Sequence, residues 1–570
     1  MAIEQIENAM TEELTRFLKN GPTSAELERA KTRYLAGFIR GVERIGGFGG
    51  KSDILAKCQV LMNDPEFYRR NLEYYKSATK TDIRNAINEW LSDGDYTLEV
   101  HPFPQYSITA SNIDRAALPV PGSFPEVRFP TLERATLSNG LRIVFARRTA
   151  VPVVHFQLLM DAGCASDQLA IAGTSSLAMA MHDEGTKKRT ALQISDELAS
   201  LGATVSTSSG LDSSYFFLNT LKINLQKSLN IFIDILLHPT FPPKNFKRLQ
   251  QLQIATIQRE KVTPIQMALR VFPKLIYGSN HSYGNPMTGT GTEDSVKKIT
   301  RNDLFKFHQN WIKPNNATIV VVGDTTMKEI LSKLEHLLLG WKMGEIPKKD
   351  ISFVTHQPQS KIYIMDRPDS ISSIIFGGHI APPTNNPDEI AIEALNEILG
   401  GSFTSRVNMN LREDKHWSYG AFTFFSNARG PRPFVAYSTV QEDKTKESLL
   451  EILKEIQDIR GNKPITEAEL EKAKNRLTRE LPGSWETIGS VGATIGTLIQ
   501  YGFPDDYYIT YPNKVMALKV DYLMDVAKRI IEPEKMVWVV VGDRFKIEKP
   551  LRELSFGEIG FLDGDGNVLG

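Results

Sequence analysis

The sequence AELERAKTRYL, at residues 25–35, returns near the other end of the chain as AELEKAKNRLT, at residues 468–478. The first seven positions of the two stretches differ only by an exchange of Arg for Lys. At the same spacing, Glu43 returns as Glu486. A repeat of this quality indicates that a domain near the start of the chain is duplicated near its end.

Three further segments each have the pattern of a helix followed by an apolar strand. They are KTDIRNAINEWLSDGDYTLEVHP (80–102), ITRNDLFKFHQNWIKPNNATIVVVGD (299–324) and VDYLMDVAKRIIEPEKMVWVVVGD (520–543). Each carries an Asp in the first helical turn, where a carboxylate suits the free backbone N–H groups. The three segments predict domain ends at about residues 102, 324 and 543. A repeat of ~220 residues is too long for a solenoid and is typical of duplicated α+β domains.

These endings and a Pro-rich stretch predict the domain organisation. Residues 1–102 are predicted to be the C-terminal portion of a truncated domain, whose opening strands are expected to precede Met1. The predicted parts that follow are a Pro-rich interlobe linker (103–130), two complete domains (131–345 and 355–545) and a C-terminal tail (546–570). In the first complete domain, Asn139-Gly140 between two strand-like runs predicts a β-hairpin.

Composition excludes several classes of protein. Hydrophobic residues make up 41% of the 570 residues and charged residues 24%, which is ordinary for a globular protein. Because Lys+Arg and Asp+Glu are balanced at 67 each, no global field would recruit nucleic acid or an anionic membrane. No stretch approaches the ~18 continuous apolar residues of a membrane helix. The N-terminus is amphipathic and acidic, unlike a signal peptide, and the compartment stays open.

Several motifs in the chain resemble those of the pitrilysin/insulinase family of zinc metallopeptidases, the inverzincins. They are LSNGLRIV, GTSSLAMAMHDEGT, ILGGSFTSRVNMNLREDKHWSYG and ITEAELEKAKNRL. The resemblance covers nearly the whole chain. It implies an α+β fold of duplicated domains, each a mostly antiparallel sheet with helices packed on one face. It also implies two pairs of such domains that face each other as a clamshell around a chamber.

The family places H-x-x-E-H on a helix, where two His bind Zn²⁺ and the Glu activates the metal-bound water. Aligning GTSSLAMAMHDEGT with this motif puts Ser176 and Ala180 at the histidine positions and Met179 at the base. The more distant Glu ligand is placed at Thr256. Since the ten histidines lie at least 20 residues apart, no H-x-x-E-H motif exists in the chain. We therefore predict no metal in this chain, with zinc on a missing or partner half.

Two other histidine-containing stretches are candidate sites. A relocated metal site at His182, Asp183 and Glu184 is disfavoured, because adjacent side chains at a helix end point in different directions. A helix-end polar cluster is the preferred interpretation. For His281, in SNHSYG, packing within a loop is preferred over a functional role.

The resemblance carries one functional pair over to this chain. Arg412 and Tyr419 match an Arg/Tyr pair that in this family reaches across the chamber toward the zinc site of the opposite half. A guanidinium and a phenol can hold the substrate backbone or donate hydrogen bonds to the developing oxyanion. The alternative is that Arg412 forms a helix-end ion pair with Glu413 or Asp414 and that Tyr419 packs on a strand.

The surroundings of this pair suggest further substrate contacts. Gly400, Gly401 and Ser402 are candidates for substrate binding, although a helix end and turn is their first interpretation. The strand WSYGAFTFF is expected either to line the chamber or to belong to the sheet core. An exposed strand edge could also accept an extended peptide as an added strand.

We predict a non-zinc-binding half of a clamshell metallopeptidase, which contributes substrate binding and transition-state stabilisation. The expected partners are a zinc-bearing half, from the same parent chain or a separate subunit, and a peptide or partly unfolded polypeptide. The chain alone is expected to be inactive. Two alternatives stay open: a non-catalytic peptide-binding or assembly-stabilising subunit, and an independent metalloenzyme with an unrecognised site.

Overall fold

A computed structural model describes residues 3–92, 129–355, 360–554 and 559–569. The chain divides into two compact units, residues 1–126 and 127–570. The strand predicted at the end of the 80–102 segment and residues 103–128 of the predicted linker lie outside the described residues. Among the helices that the model describes, none combines the length and apolar character needed to cross a bilayer.

In the first unit the described residues form five helices. They are α1 (Ile3–Asn20), α2 (Ser24–Gly41), α3 (Lys51–Met62), α4 (Phe67–Ser77) and α5 (Lys80–Trp90). The repeated phrase forms α2, which begins with a capping box in which Thr23 and Glu26 satisfy each other's backbone N–H groups. Thr79 and Asp82 form the same arrangement at the start of α5.

The second unit contains two sheets, and the first of them has six strands. They are β1 (Leu132–Thr136), β2 (Arg142–Arg147), β3 (Val153–Met160), β4 (Thr204–Ser209), β5 (Ser214–Leu221) and β6 (Ala317–Gly323), in the order β1-β2-β6-β3-β5-β4. Only the β2–β6 pair is parallel. Gly140, at φ +84°, turns the predicted hairpin between β1 and β2.

Eight α-helices accompany this first sheet. They are α6 (Thr174–Met181), α7 (Ala191–Ser200), α8 (Leu225–Leu237), α9 (Pro243–Glu260), α10 (Pro264–Tyr277), α11 (Glu293–Lys298), α12 (Arg301–Trp311) and α13 (Met327–Leu338). Short 3₁₀ turns lie at Cys164–Leu169, Lys222–Asn224 and Pro314–Asn316.

The second sheet has seven strands. They are β7 (Lys361–Asp366), β8 (Ser372–Ala381), β9 (Ser418–Phe425), β10 (Arg432–Gln441), β11 (Val537–Gly542), β12 (Ile559–Leu562) and β13 (Val568–Leu569), in the order β13-β12-β7-β11-β8-β10-β9. The pairs of β7 with β11 and β12 are parallel, and the other pairs are antiparallel.

Nine α-helices accompany the second sheet. They are α14 (Glu389–Leu399), α15 (Arg406–Asn408), α16 (Thr445–Asp458), α17 (Glu467–Arg479), α18 (Leu481–Ser484), α19 (Ile488–Tyr501), α20 (Tyr507–Met516), α21 (Val520–Ile530) and α22 (Arg544–Arg552). A π-helical turn, Met409–Asp414, follows α15, and 3₁₀ turns lie at Glu442–Lys444 and Pro533–Lys535.

The two sheets exchange helices. Helix α10 follows from the first sheet but packs on β8 and β11 of the second, where the ring of Phe272 meets that of Phe376 with centroids 5.0 Å apart. Helix α19 belongs to the second half but packs on β3 and β6 of the first sheet. There Gly492 lies so close to the sheet that an added Cβ would be 2.6 Å from the ring of His155. Each sheet is therefore covered by its own helices on one face and by a crossing helix on the other.

The predicted fold class is confirmed: the second unit is α+β, with duplicated and mostly antiparallel sheets. The structure differs from the prediction at the C-terminal tail. Residues 546–570 were set apart from the last domain, yet most of α22 falls in this stretch and β12 pairs in parallel with β7. Because β7 would otherwise present an open edge with unpaired backbone groups, the tail completes the second sheet.

Candidate functional site

The helix that carries the degenerate zinc motif is α6, and a buried carboxylate fixes its start. Asp167 accepts hydrogen bonds from the backbone N–H groups of Gly173 (2.7 Å) and Ser175 (2.9 Å) and from the Ser175 hydroxyl (3.2 Å). Burial raises the pKa of Asp167 to about 7, against these hydrogen bonds. Asp167 therefore fixes the N-terminus of the helix that carries the degenerate motif.

The two positions aligned with histidine ligands hold no metal donor. The Ser176 hydroxyl is already used, since it donates to the carbonyl of Gly289 at 2.7 Å. Ala180 is exposed and has no polar side-chain atom. Thr256, on α9, donates to the Leu252 carbonyl at 3.0 Å and accepts from Arg259 at 3.3 Å. Neutral hydroxyls and a methyl group cannot replace two imidazoles and a carboxylate on Zn²⁺.

The position aligned with the catalytic base is buried. Met179 is 1% exposed and belongs to the hydrophobic core between the first sheet and its helices. A carboxylate at this point would face apolar neighbours and not a metal-bound water. Over the four ranges that the structure describes, no group of three or more His, Cys, Asp or Glu side chains is arranged to hold a metal ion. The residues present at the degenerate motif do not fit zinc.

The side chains of the HDE stretch diverge. His182 is fully buried between the rings of Phe216 and Phe241, and its Nδ1 lies 2.7 Å from the Ala178 carbonyl. Burial, together with the nearby His308, lowers the pKa of His182 to about 3, so the ring is neutral. His182 therefore belongs to the hydrophobic core, whereas the sequence predicted a polar cluster at the end of the helix.

The other two members of that stretch also have local roles. Glu184 forms an ion pair with Arg248 and accepts a hydrogen bond from Asn245. Burial raises the pKa of Asp183. His281 packs in its loop, with its Nε2 3.0 Å from the Ser352 carbonyl and its ring stacked on Tyr277, in line with the preferred interpretation.

Arg412 and Tyr419 lie on either side of a sharp connection between the π-helical turn and β9. The guanidinium of Arg412 lies over the ring of Phe403, 4.5 Å from its centroid, and 3.3 Å from a carboxylate oxygen of Glu413. This ion pair with Glu413 is the one expected if Arg412 has only a structural role. Tyr419, by contrast, is 95% exposed and does not pack on the strand. A π-helical turn is a frequent feature of functional sites.

The three candidate substrate-binding residues lie in the connection between α14 and α15. Gly400 has an extended φ of −158°, and an added Cβ would lie 2.4 Å from the backbone nitrogen of Thr423. An added Cβ on Gly401 would lie 2.6 Å from the side-chain nitrogen of Asn396. The Ser402 hydroxyl donates to the Glu397 carbonyl at 3.1 Å. Close approach, and not a left-handed backbone, explains the two glycines.

The outer edge of β9 is already occupied. The backbone N–H of Thr423 donates to the Gly400 carbonyl at 3.0 Å, and that of Ala421 donates to the Asn408 side chain at 3.1 Å. The side-chain NH₂ group of Asn408 donates to the Phe403 carbonyl. This edge therefore offers no continuous row of free backbone groups to a peptide at those positions. The sequence did not predict this role for Asn408. Its partners are the backbone groups of Phe403 and Ala421, and a hydrogen bond to the backbone requires no particular residue type at the partner position.

Strand β4, at the edge of the first sheet, is polar and uncharged. Strand β4 reads TVSTSS, has alternating exposed and half-buried residues, and packs beside α6. The hydroxyl of its Thr207 donates to the Met179 carbonyl at 2.6 Å. A polar, uncharged edge strand next to the degenerate motif can accept an extended chain through its backbone. The polar alternation was a signal for this strand that the sequence analysis did not use.

Two family models match the second unit. Residues 142–276 match the model described as Insulinase (Peptidase family M16). Residues 298–477 match the model described as Peptidase M16 inactive domain. The first match contains Ser176, Met179, Ala180 and Thr256, and the second contains Arg412 and Tyr419.

Curated relatives and solved structures are similar at low identity. An uncharacterized zinc protease of Rickettsia felis is 22% identical over 405 residues, which cover 69% of this chain and 93% of that protein. The non-peptidase homolog YmxG of Helicobacter pylori is 20% identical over 405 residues, or 71% of this chain and 92% of that protein. A peptidase M16 inactive domain from Pseudomonas fluorescens superposes with a TM-score of 0.67 at 21% identity, over 72% of this chain and 98% of its own.

Proposed function

The chain belongs to the pitrilysin/insulinase family, and on that premise we propose that it is a non-zinc-binding half of a clamshell metallopeptidase. In this proposal the chain contributes substrate binding and transition-state stabilisation to a zinc site on another half. That half belongs either to the same parent chain or to a separate subunit. The substrate is a peptide or partly unfolded polypeptide.

One observation carries the proposal. The chain lacks the zinc-site residues but keeps the Arg/Tyr pair. Ser176, Met179 and Ala180 can serve neither as metal ligands nor as a base, whereas Arg412 and Tyr419 keep their donor groups at the surface. A fully exposed tyrosine contributes little to packing, so a role outside the chain explains its place better. Strand β4 supports a peptide substrate, because its edge is polar and uncharged.

The chemistry assigned to the pair follows from charge. When a peptide bond is attacked, negative charge develops on its carbonyl oxygen, and preorganised donors at that point lower the barrier. The phenol of Tyr419 and the planar guanidinium of Arg412 can both donate there. The guanidinium is stacked over Phe403 and lies beside Glu413, so both of its neighbours are exposed residues of the same segment.

The second candidate function is a non-catalytic peptide-binding or assembly-stabilising subunit. The observation that favours it is the Arg412–Glu413 ion pair, which already uses one donor of the guanidinium. One relative is named a non-peptidase homolog, so similar chains include a protein described as lacking peptidase activity.

The test is reconstitution with a zinc-bearing half of an insulinase-type peptidase. The mixture should hydrolyse a fluorogenic peptide, and Tyr419→Phe should lower kcat by ~10²–10³, the usual cost of deleting one preorganised oxyanion donor. Zinc content and complex formation should stay unchanged. The matched control is Tyr522→Phe, which removes a partly exposed phenol elsewhere in the second unit, one that donates to Asp388.

Two results would decide between the candidates. A Tyr419→Phe mixture that turns over within about twofold of wild type would leave only the binding or assembly role. A purified chain that keeps about one zinc after dialysis would instead support an independent metal site and contradict both. Arg412→Lys should also be impaired, since it keeps the charge but loses the planar fork.

A further inference from the structure

The pairing of β9, the last strand of the second sheet, with β10 is irregular at Tyr419. Ala421 lies opposite Ser438, but Ser418 lies opposite the residue two positions further along β10. Tyr419 and Gly420 therefore share a single opposing residue. Two residues against one form a β-bulge, a feature that is frequent at sheet edges and beside active sites, where it re-aims a side chain.

The bulge explains why the Tyr419 side chain is exposed. Side chains alternate between the two faces of a regular strand, so Tyr419 would share a face with Ala421 and Thr423. Both of these residues are buried, and Ala421 belongs to the core that includes side chains of α14, α15 and the π-helical turn. The extra residue of the bulge shifts the alternation by one position, and the phenol is 95% exposed.

Two serine hydroxyls satisfy the backbone groups of the bulge. Ser418 Oγ lies 2.8 Å from the Gly420 carbonyl oxygen and 2.6 Å from that of Thr439, and it accepts the Gly420 backbone N–H at 3.0 Å. Ser438, which is fully buried, has its Oγ 3.0 Å from the same Gly420 carbonyl and 2.8 Å from Ser418 Oγ. A bulge disrupts the ladder of backbone hydrogen bonds, so these hydroxyls replace partners that the strand has lost.

We infer that Ser418 and Ser438 are positioning residues, which hold the bulge and thereby set the direction of the Tyr419 phenol. This inference rests on the proposed function, because that phenol is the donor assigned there to the developing oxyanion. A preorganised donor lowers the barrier only where the charge develops, and a displacement of about 1 Å can cost about 10²-fold in rate. Neither serine contacts substrate, and both act through the backbone at Tyr419 and Gly420.

A simpler interpretation is that the bulge only ends the pairing of β9 with β10. Removing the serine hydroxyls would then lower the melting temperature, and any effect on turnover would be the same with or without the Tyr419 hydroxyl. If the serines act through Tyr419, their effect on turnover should instead disappear once that hydroxyl is absent. A double-mutant cycle therefore separates the two interpretations.

The experiment uses the full chain mixed with the zinc-bearing half, with hydrolysis of the fluorogenic peptide as the readout. We expect the double variant Ser418→Ala/Ser438→Ala to lower kcat by about tenfold or more and to change KM by less than about threefold. In a Tyr419→Phe chain the same two substitutions should lower kcat by less than about twofold further. The matched control is Ser448→Ala, which should keep kcat within about twofold of wild type. It removes a fully buried hydroxyl that has no hydrogen-bond partner in the described part of the chain.

A second measurement needs neither partner nor activity. Nitration by tetranitromethane, followed by peptide mass spectrometry, reports how accessible the Tyr419 phenol is in the full chain. In the double variant Tyr419 should react about threefold or more slowly, because loss of the bulge turns the phenol toward the covered face. The partly exposed Tyr522 is the internal reference and should react at an unchanged rate. Ser438→Thr keeps the hydroxyl and should behave like wild type in both measurements; if the double variant does not fold, Ser438→Ala alone takes its place, with changes in the same direction.

The outcomes separate this inference from the proposed function. Hydrolysis that depends on Tyr419 but not on the two serines would overturn the inference and leave the proposed function in place. Equal losses of kcat from the serine substitutions with and without the Tyr419 hydroxyl would also overturn it. A wild-type mixture without hydrolysis, or one indifferent to Tyr419→Phe, would overturn the proposed function. The nitration rate then decides alone whether the serines direct the phenol, and an unchanged rate at Tyr419 would show that they do not.

Discussion

Replacing Met179 by Glu restores the family's base by sequence, and we expect it to damage the protein instead. The reason is position: the Met179 side chain lies in the core beneath the first sheet, whereas the next residue, Ala180, is exposed. Ala180→Glu is therefore the matched control. It introduces the same carboxylate on the same helix, one residue away, into water.

The magnitude follows from burial. Losing a buried methionine side chain forfeits roughly 1.5–3 kcal/mol of hydrophobic stabilisation. Burying a polar group without a hydrogen-bond partner costs about 1–3 kcal/mol more on the scale of protein mutants, with the carboxyl neutralised to avoid a buried charge. Met179→Glu should therefore lower the free energy of unfolding by roughly 2.5–6 kcal/mol. Ala180→Glu should change it by no more than ~0.5 kcal/mol.

The assay is urea denaturation of the full chain, followed by tryptophan fluorescence and by circular dichroism. Met179→Leu, which keeps the volume and apolar character, should cost less than about 1.5 kcal/mol. The loss in Met179→Glu should be larger at pH 8 than at pH 5. Burial raises the pKa of the new carboxyl in the folded state, whereas in the unfolded state it ionises freely, so a higher pH favours unfolding. If Met179→Glu and Ala180→Glu are equally stable, the side chain at 179 faces solvent, and the argument that this site cannot hold a base is refuted.

Three further outcomes are expected. Desolvation raises the pKa of Glu393 to about 7, so the stability that this group contributes is present below pH ~4.5 and is lost as the pH rises through 7. Glu393→Gln should therefore reduce the pH dependence of the unfolding free energy between these two pH values, as measured in urea titrations. Gly492→Ala should destabilise by about 1–3 kcal/mol because its Cβ would meet a buried histidine ring of the first sheet at 2.6 Å, whereas Gly489→Ala, with nothing nearer than 3.9 Å, should be neutral or stabilising in the same melts. Arg432→Met should cost about 3–5 kcal/mol in equilibrium unfolding, because it leaves the buried Glu389 carboxylate without its cation, and adding Glu389→Met should recover most of the loss.

Local and repetitive features could be predicted from the sequence. The Asn-Gly hairpin, the capping boxes of α5 and α12, and the duplication of whole α+β domains all follow from short patterns, because each depends on neighbouring residues. The loss of zinc chemistry at Ser176 and Ala180 also follows from the sequence, because no arrangement in space gives a hydroxyl or a methyl group the donor properties of imidazole.

Features that depend on distant partners could not be predicted. The sequence indicated a polar cluster around His182, but its ring is enclosed by Phe216 and Phe241, which lie more than 30 residues away. An open edge on the aromatic strand was a further prediction, but Asn408 and Gly400 accept hydrogen bonds from two outward N–H groups of that strand. Contacts of this kind depend on how the chain brings separated segments together.

The sequence by itself determined the family, the α+β class and the absence of zinc ligands at the aligned positions, since these depend on residue identity and on spacing along the chain. Only the tertiary structure decided that Met179 is core, that Tyr419 is open to solvent, and that α10 and α19 cross between the sheets. It also separated Trp90, which is exposed, from Trp311, which is buried, although both end a helix that begins with a Thr/Asp capping box. The physical reason is that the burial of a side chain depends on its surroundings, which segments far away in the sequence supply.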